Sequence, residues 1–456
     1  MTIFLISGNN HKGILMPPIH LSSTPACPPD AFPGPLGPYR WLYLDLNSYF
    51  ASVEQQETPH LQGKPMIVSP APTEFTVAIA ASIEAKRLGV KTGTPIREAR
   101  RLIPGLYVVP ARHDVYVRYH HKIRAALDRH LPVEMACSID EFACRLTGTQ
   151  THEGKARRIA AAIKAQIARD VGPCVRASIG LGPNKFLAKV ATNMKKPDGL
   201  ILITKEDLPD RLYGLGFGDI PGIGRAMTRR LEAVGITDMR GLLALAPKKA
   251  RHIWGGVGGE RLLAALYGAE VEEPKTIRRS VSHSHVLAKA MRAAPHARAI
   301  SRRLTAKAAS RLRRLDHRAS RFGISVRFVA GGRWHGEASI QATQDSFLLL
   351  KAHEELWAKM SHCRPAECAR GLRQVSVWMS GLRAVDALAR DLFEQGGDAA
   401  FTRSQEREHL CRALDGLNHR YGRGAVNIGA HKVDVGAFTG VKIAFTRIPD
   451  APEFDE

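Results

Sequence analysis

The chain has 456 residues, too many for one hydrophobic core, so roughly two to four domains are expected. Its 66 Lys and Arg against 43 Asp and Glu give a formal charge of +23 and a pI near 10.0, which points to a polyanionic partner, nucleic acid ahead of a membrane surface. No apolar run is long enough to span a bilayer, and seven scattered cysteines argue against a disulfide scaffold and for reduced thiols in the cytoplasm.

Residues 1 to 38 are rich in Pro, Gly and Ser and read as a poorly ordered extension. Folded sequence opens at Trp41 with "WLYLDL", a buried-looking strand that ends its apolar run on Asp45. A buried carboxylate is costly unless it pairs with a cation or faces something that needs negative charge. "SYFASVEQQ" suits a helix start with Asn47 or Ser48 as cap. "KPMIVSP", "FTVAIAAS" and "LYVVPA" read as strands, and "IEAKRLGV" as a helix stopping on Gly89. An amphipathic helix, "DVYVRYHHKIRAALDRHL", precedes "VEMACSIDEFACRL", two strand-like runs around Asp140 and Glu141. A helix at 153 to 169 leads to the strand "VRASIGLG" and the helix "NKFLAKVATNM". Strands alternating with helices to about residue 205 indicate an α+β or α/β domain.

Short helices follow over 206 to 270, then a linker, "VEEPKTIRR". Beyond it the expected order is strand (280 to 287), helix (295 to 316), strand (323 to 330), strand (334 to 342), helix (346 to 360) and strand (372 to 380), a β-α-β-β-α-β sheet domain. In 383 to 456 only a helix around "REHLCRALDGLNHRYG" is legible, and its purpose is left open. "SHCRPAEC" groups His362, Cys363 and Cys368 without a second pair at zinc spacing, which argues against a metal site.

Three acids, Asp45, Asp140 and Glu141, fall at strand ends in the first domain. Neighbours in a regular strand point to opposite faces, but at a turn or bulge Asp140 and Glu141 can converge. Clustered carboxylates repel one another unless cations join them, and hard divalent ions suit oxygen ligands. Taken on spacing alone, the same acids can equally be surface or salt-bridged groups.

"DLNSYFASVEQ", "SIDEF", "LGPNKFLAKVATNMKKPDG" and "IPGIG", in that order, resemble the motifs of Y-family translesion DNA polymerases over roughly residues 41 to 382. The resemblance implies an α+β right-hand polymerase: palm and fingers at 39 to 205 (fingers about 54 to 112), a helical thumb at 206 to 270, a linker at 271 to 279 and a little finger at 280 to 382. It implies that Asp45, Asp140 and Glu141, with the Leu46 carbonyl, hold two Mg²⁺ ions for in-line phosphoryl displacement. Phe50 matches the steric gate that disfavours a ribose 2′-OH, Tyr49 beside it being a packing residue; Lys196 matches a contact to the incoming triphosphate, Lys195 being solvated. Where many relatives carry a Tyr and Arg clamp this chain has Ile83 and Lys86, a departure that resembles the polymerase V branch; Lys86 keeps the charge without a bidentate fork. Asn47 replaces a frequent second Asp that is not a metal ligand.

"IPGIGRAMTRRL" reads as a helix-hairpin-helix turn in which Gly222 and Gly224 let the backbone approach a phosphate, with Arg225, Arg229 and Arg230 adding charge. Residues 298 to 321 hold nine Arg or Lys and one acid, so Arg303 and Arg314, with linker residues Arg278 and Arg279, are expected beside DNA phosphates. The expected partners are damaged primer-template DNA, dNTPs and, by resemblance, a sliding clamp. For the clamp, "ARDLF" offers Leu392 and Phe393, while "QDSFLLL" has a Gln but starts a core helix. Two other readings stand beside an active polymerase: a catalytically weak or silent DNA-binding adaptor, and a metal-dependent nuclease, which leaves Phe50 and the last sheet domain unexplained.

Overall fold

The structure, a computed structural model, describes residues 37–70, 74, 76–272, 277–385, 397–422, 425–429 and 448, with side chains of the final helix from 406 on. The segment holding Leu392 and Phe393 lies outside the described residues, as does nearly all of the N-terminal extension.

The first half runs β1 (Trp41–Leu46), α1 (Tyr49–Glu57), β2 (Met66–Ser69), β3 (Ala80–Ala81), α2 (Ile83–Arg87), α3 (Ile96–Leu102), β4 (Tyr107–Pro110), α4 (His113–Asp128), β5 (Met135–Ala136), β6 (Glu141–Arg145), α5 (Glu153–Asp170), β7 (Ala177–Gly182), α6 (Lys185–Met194) and β8 (Leu200–Leu202). β1 is the middle strand of a five-stranded sheet ordered β5-β6-β1-β7-β8, antiparallel to both neighbours. Every residue of "WLYLDL" is buried because both faces are covered. Leu42, Leu44 and Leu46 join the main core with Tyr116, Ile123, Ile163 and Ile167 of α4 and α5. Trp41 and Tyr43 face the other way, onto Ala188 of α6. That helix sits close because β7 carries Gly180 and Gly182; a Cβ on Gly180 would lie 2.0 Å from the Ala188 carbonyl oxygen. A separate small sheet, β3-β2-β4, closes over Ile67, Ala85, Ile96 and Ile103.

The expected strand "FTVAIAAS" is only Ala80–Ala81 plus a bridge at Val77, because Ser82 turns out of the strand and its hydroxyl caps α2 by accepting from the Ala85 amide at 3.2 Å. Nor does Ser48 cap α1 with its side chain: it sits in left-handed backbone (φ 51°).

Four helices follow, α7 (Arg225–Glu232), α8 (Met239–Leu243), α9 (Pro247–Trp254) and α10 (Gly258–Leu266), around Leu231, Leu242, Ile253 and Leu263. α6 belongs to both halves. Its Leu187 and Val190 enter the helical core, and the Asn184 amide before it donates to the Ala265 and Ala269 carbonyls at 2.8 and 2.7 Å.

The last domain contains β9 (Ser280–Val286), α11 (Ala294–Arg314), β10 (His317–Phe328), β11 (Arg333–Thr343), α12 (Ser346–Cys363), α13 (Pro365–Arg370), β12 (Leu372–Ala384) and α14 (Gly397–Tyr421). Its sheet is ordered β11-β10-β12-β9, with α11 and α12 on one face over Phe322, Ile324, Val375 and Val377. Alternation sends Arg321, Ser325 and Arg327 of β10 and Ser376 and Trp378 of β12 to the open face. The basic run 298 to 321 is not one stripe open to phosphate, as its helical spacing suggested. Arg298 and Arg302 both bond Glu354 of α12; Arg313 is buried on Asp415 of α14, at 2.7 and 2.9 Å; and Arg318 meets Glu408 at 2.7 Å. Acids brought from α12 and α14 pair with these arginines, at the surface for Arg298 and within the fold for Arg313. Gln344 of "QDSFLLL" is likewise buried, 3.1 Å from Glu408.

His353 of α12 is enclosed in this core, 2.8 Å from the Ser301 hydroxyl. Burial pushes its imidazole down to about 4, the adjacent Glu354 carboxylate offsetting only part of this. The unfolded chain titrates near 6.5 and binds more protons between the two values, so stability is full above about 6.5 and falls towards pH 4. Thermal melts should show a loss on the order of 3 kcal/mol over that window in this domain, and a smaller loss in His353→Gln.

Candidate active site

The carboxylates meet at one end of the central sheet. Asp45 lies directly across from Glu141 in the β1–β6 register, and the Leu46 amide donates to the Asp140 carbonyl at 2.9 Å. Asp140 itself precedes β6, in the turn the sequence required for two adjacent acids to serve one site. A cavity of about 470 Å³ opens here, lined by Asp45, Leu46, Asn47, Phe50, Asp140 and Lys196 on the side of the sheet and by Ile83, Lys86, Arg87 and Thr92 opposite. Arg87 was missed in the sequence, although Ile83, Lys86 and Arg87 fall at i, i+3 and i+4 on α2 and so share its cavity face.

Cations already attend the acids. The Lys196 ammonium is 2.8 Å from Asp45, while Glu141 accepts from Lys189 at 2.7 Å and from the Tyr43 hydroxyl at 2.8 Å. Lys189 and Tyr43 escaped the sequence reading; the only signal was Lys189 within "NKFLAKVATNM", one turn into a helix that packs on β1. Asp140 accepts from the Ser138 hydroxyl at 2.6 Å. Burial lifts Asp45 to about 6; Lys196 pulls it back, and Glu141 and Asp140 add to the rise. Burial, with the charge of Glu141, also raises Asp140, against the Ser138 hydrogen bond. Lys86 is lowered by partial desolvation and by Lys196, with Asp45 and Asp140 opposing.

Phe50 is buried, its ring stacked on Tyr116 at 4.3 Å and forming part of the cavity wall. Tyr49 also touches the cavity, while its hydroxyl donates to the Tyr116 carbonyl at 2.7 Å. α1 and α4 are pinned together by a buried charge: Glu54 takes Arg112 at 2.5 Å and the Tyr116 hydroxyl at 2.7 Å.

Away from this cavity, Gly222 (φ 90°) turns the chain and Gly224 precedes α7, where Arg225, Thr228 and Arg229 line a groove with Gly218 and Ile223. Arg278 and Arg279 are exposed, Arg303 is half-buried and Arg314 exposed.

Residues 44–193 match the impB/mucB/samB family, and 278–392 match the C-terminal domain of that family. Over 414 residues the chain is 30% identical to the DNA polymerase IV of Moorella thermoacetica, covering 88% of this chain and 98% of that protein. The chain belongs to this family, the Y-family of translesion DNA polymerases. A DNA polymerase IV from Pelotomaculum thermopropionicum is 37% identical over 219 residues, 48% of this polymerase and 54% of that protein. Among solved structures, the Y-family DNA polymerase chimera Dbh-Dpo4(243-245)-Dbh superposes with a TM-score of 0.63 at 24% identity, covering 75% of this chain and 99% of the other. That likeness supports the fold. Both relatives are named DNA polymerase IV, so they lend no support to the tie with polymerase V drawn from Ile83 and Lys86.

Membership implies a divalent-metal cofactor. Among the described residues no three carboxylate, imidazole or thiol groups converge closely enough to hold an ion as they stand, and lysines pair with Asp45 and Glu141. The donor set nevertheless fits: three carboxylates at the ends of adjacent strands, two of them raised by burial and mutual repulsion, are short of positive charge in a way hard divalent ions relieve.

Proposed function

We propose that this polymerase extends a primer 3′-hydroxyl with dNTPs, on damaged templates, with Asp45, Asp140, Glu141 and the Leu46 carbonyl holding two Mg²⁺ ions. When bound, the ions supply charge neutralisation for the attacking and leaving oxygens of an in-line displacement. The remaining roles belong to side chains. The Phe50 ring forms the floor on which the sugar rests and leaves no room for a 2′-OH. Lys86, Lys196 and Arg87 face the triphosphate, with Ile83 as an apolar wall. Lys196 gives up Asp45 when the acids take metal and so becomes available to phosphate. The observation that carries this reading is the shared cavity: Asp45 and Asp140, with Glu141 directly across from Asp45 in the sheet register, meet an aromatic floor and basic residues at one space of about 470 Å³, large enough for a nucleotide. A silent adaptor has no need of that combination.

For DNA, the groove at the start of α7, with Gly222, Gly224 and Arg225, suits a backbone phosphate at free helix amides. Arg278 and Arg279 extend the basic track. On the little finger the phosphate contacts we propose are Arg303 and Arg314 of α11 and, on the open sheet face, Arg321 and Arg327, while Arg298, Arg302 and Arg313 pair with acids of α12 and α14. These contacts carry no sequence information. A sliding clamp is the further partner we propose, through Leu392 and Phe393.

Primer extension by the purified protein with dNTPs and Mg²⁺, on intact and lesion-bearing templates, tests the reading; extension past the lesion is expected, and none under Mg²⁺ or Mn²⁺ would overturn it. Primer-template affinity should drop about 10³-fold or more between 50 and 200 mM salt if six or more phosphates are engaged. A nearly flat response in a filter-binding or anisotropy titration contradicts the backbone-contact picture.

A further inference from the structure

Lys196 sits in the loop between α6 and β8, and a loop does not by itself hold an ammonium 2.8 Å from Asp45. The restraint comes from a residue the metal chemistry does not use. The Asn47 side chain is buried immediately beyond β1, where its Oδ1 accepts from the Asp198 amide at 2.7 Å and its Nδ2 donates to the Ser178 hydroxyl of β7 at 3.0 Å. Ser178 in turn accepts from the Gly199 amide at 3.3 Å. Asp198 is in left-handed backbone (φ 58°), a conformation that side chains seldom adopt without outside restraint. From the far side, the Lys164 ammonium of α5 holds the Asp198 carbonyl at 2.6 Å and its carboxylate at 2.7 Å.

We infer that Asn47, two residues along the chain from the first metal-site carboxylate, is a positioning residue that locks the 195–199 loop so that Lys196 faces the triphosphate subsite. The main chain of Asn47 is equally fixed, its amide on the Arg176 carbonyl at 2.8 Å and its carbonyl on the Ser52 hydroxyl at 2.8 Å. The side chain therefore transmits the position of β1 to the loop directly. An amide suits the place because it accepts from one neighbour and donates to the other, whereas an acid here would add a fourth negative charge beside Asp45, Asp140 and Glu141. A branched apolar side chain would strand the Asp198 amide and take from the Ser178 hydroxyl its bond to the side chain of residue 47.

The inference rests on the assignment of Lys196 to the triphosphate, and the experiment separates the two. Steady-state single-nucleotide insertion is measured for wild type, Lys196→Ala, Asn47→Leu, Asn47→Asp and the double variant Asn47→Leu/Lys196→Ala, with primer-template Kd measured in parallel. Asn47→Leu should raise the dNTP KM about tenfold or more while kcat changes less than about threefold and DNA affinity holds. Asn47→Asp keeps the acceptor for the Asp198 amide but loses the donor to Ser178 and adds a negative charge, so it should raise the dNTP KM less than Asn47→Leu does. In the Lys196→Ala background Asn47→Leu should add nothing to KM. If Lys196→Ala leaves KM unchanged, the assignment of Lys196 fails. If Lys196→Ala raises KM but Asn47→Leu does not, or adds its full effect in the double variant, the positioning role fails alone. Should Asn47→Leu not fold, Lys164→Met, which loosens the same loop from its solvent side, replaces it; an unchanged dNTP KM there overturns the inference as well.

Discussion

Asp140→Ala and Glu141→Ala should each lower primer extension by about 10³-fold or more while leaving primer-template binding within about twofold of wild type. The two substitutions test different surroundings. Asp140 lies in the turn before β6, where its carboxylate accepts from the Ser138 hydroxyl and its carbonyl keeps the Leu46 amide whatever the side chain, so its truncation takes a carboxylate from the cavity and little else. Glu141 is also the acceptor for Lys189 and Tyr43, and its loss leaves an ammonium and a phenol beside Asp45 without their shared partner. Glu141→Gln keeps the Tyr43 hydrogen bond and removes the charge; it should be as inactive as Glu141→Ala but closer to wild type in melting temperature. An active Glu141→Gln would show that the charge at 141 is dispensable and would remove it from the metal site.

Phe50→Ala should raise ribonucleotide incorporation relative to deoxyribonucleotide by about 10- to 100-fold, the range expected when a close steric contact in a pocket is relieved. The ring is 4% exposed and stacks on Tyr116 at 4.3 Å, so it is both wall and core. Truncation to Ala also costs about 3 to 5 kcal/mol of packing, which could blur the kinetics. Phe50→Leu retains most of the volume and separates the effects: it should melt near wild type and admit ribonucleotides to an intermediate degree. Competition between dCTP and CTP opposite template G, read on a sequencing gel, measures the ratio. Unchanged sugar discrimination in both variants would contradict the floor assigned to Phe50.

Much of this site was legible before any fold was known because the signals are local. An apolar strand that ends on Asp45 and a turn carrying Asp140 and Glu141 announce themselves in a few residues each. Where partners lie far apart in the chain, the reading went astray. Glu354 reaches Arg298 across 56 positions and Asp415 reaches Arg313 across 102, so the charge run of α11 looked wholly available to phosphate although four of its members and near neighbours are paired with acids. Asn47 looked like a helix cap because its real partners, Ser178 and Asp198, are 131 and 151 residues away. The strand expected at 75 to 82 shrank to two residues for the opposite reason: a local competitor, the Ser82 cap of α2, prevailed over β propensity.

The roles proposed for the cavity residues require Asp45, Asp140 and Glu141 to bind divalent cations together, with Lys196 released from Asp45. Electron paramagnetic resonance of free Mn²⁺, titrated into the polymerase with primer-template and a non-hydrolysable dNTP, counts those ions without requiring turnover. Two tightly bound Mn²⁺ per wild-type molecule, with tight binding lost in Asp140→Ala and Glu141→Ala, is the predicted result. Equal Mn²⁺ uptake by wild type and both variants would contradict it.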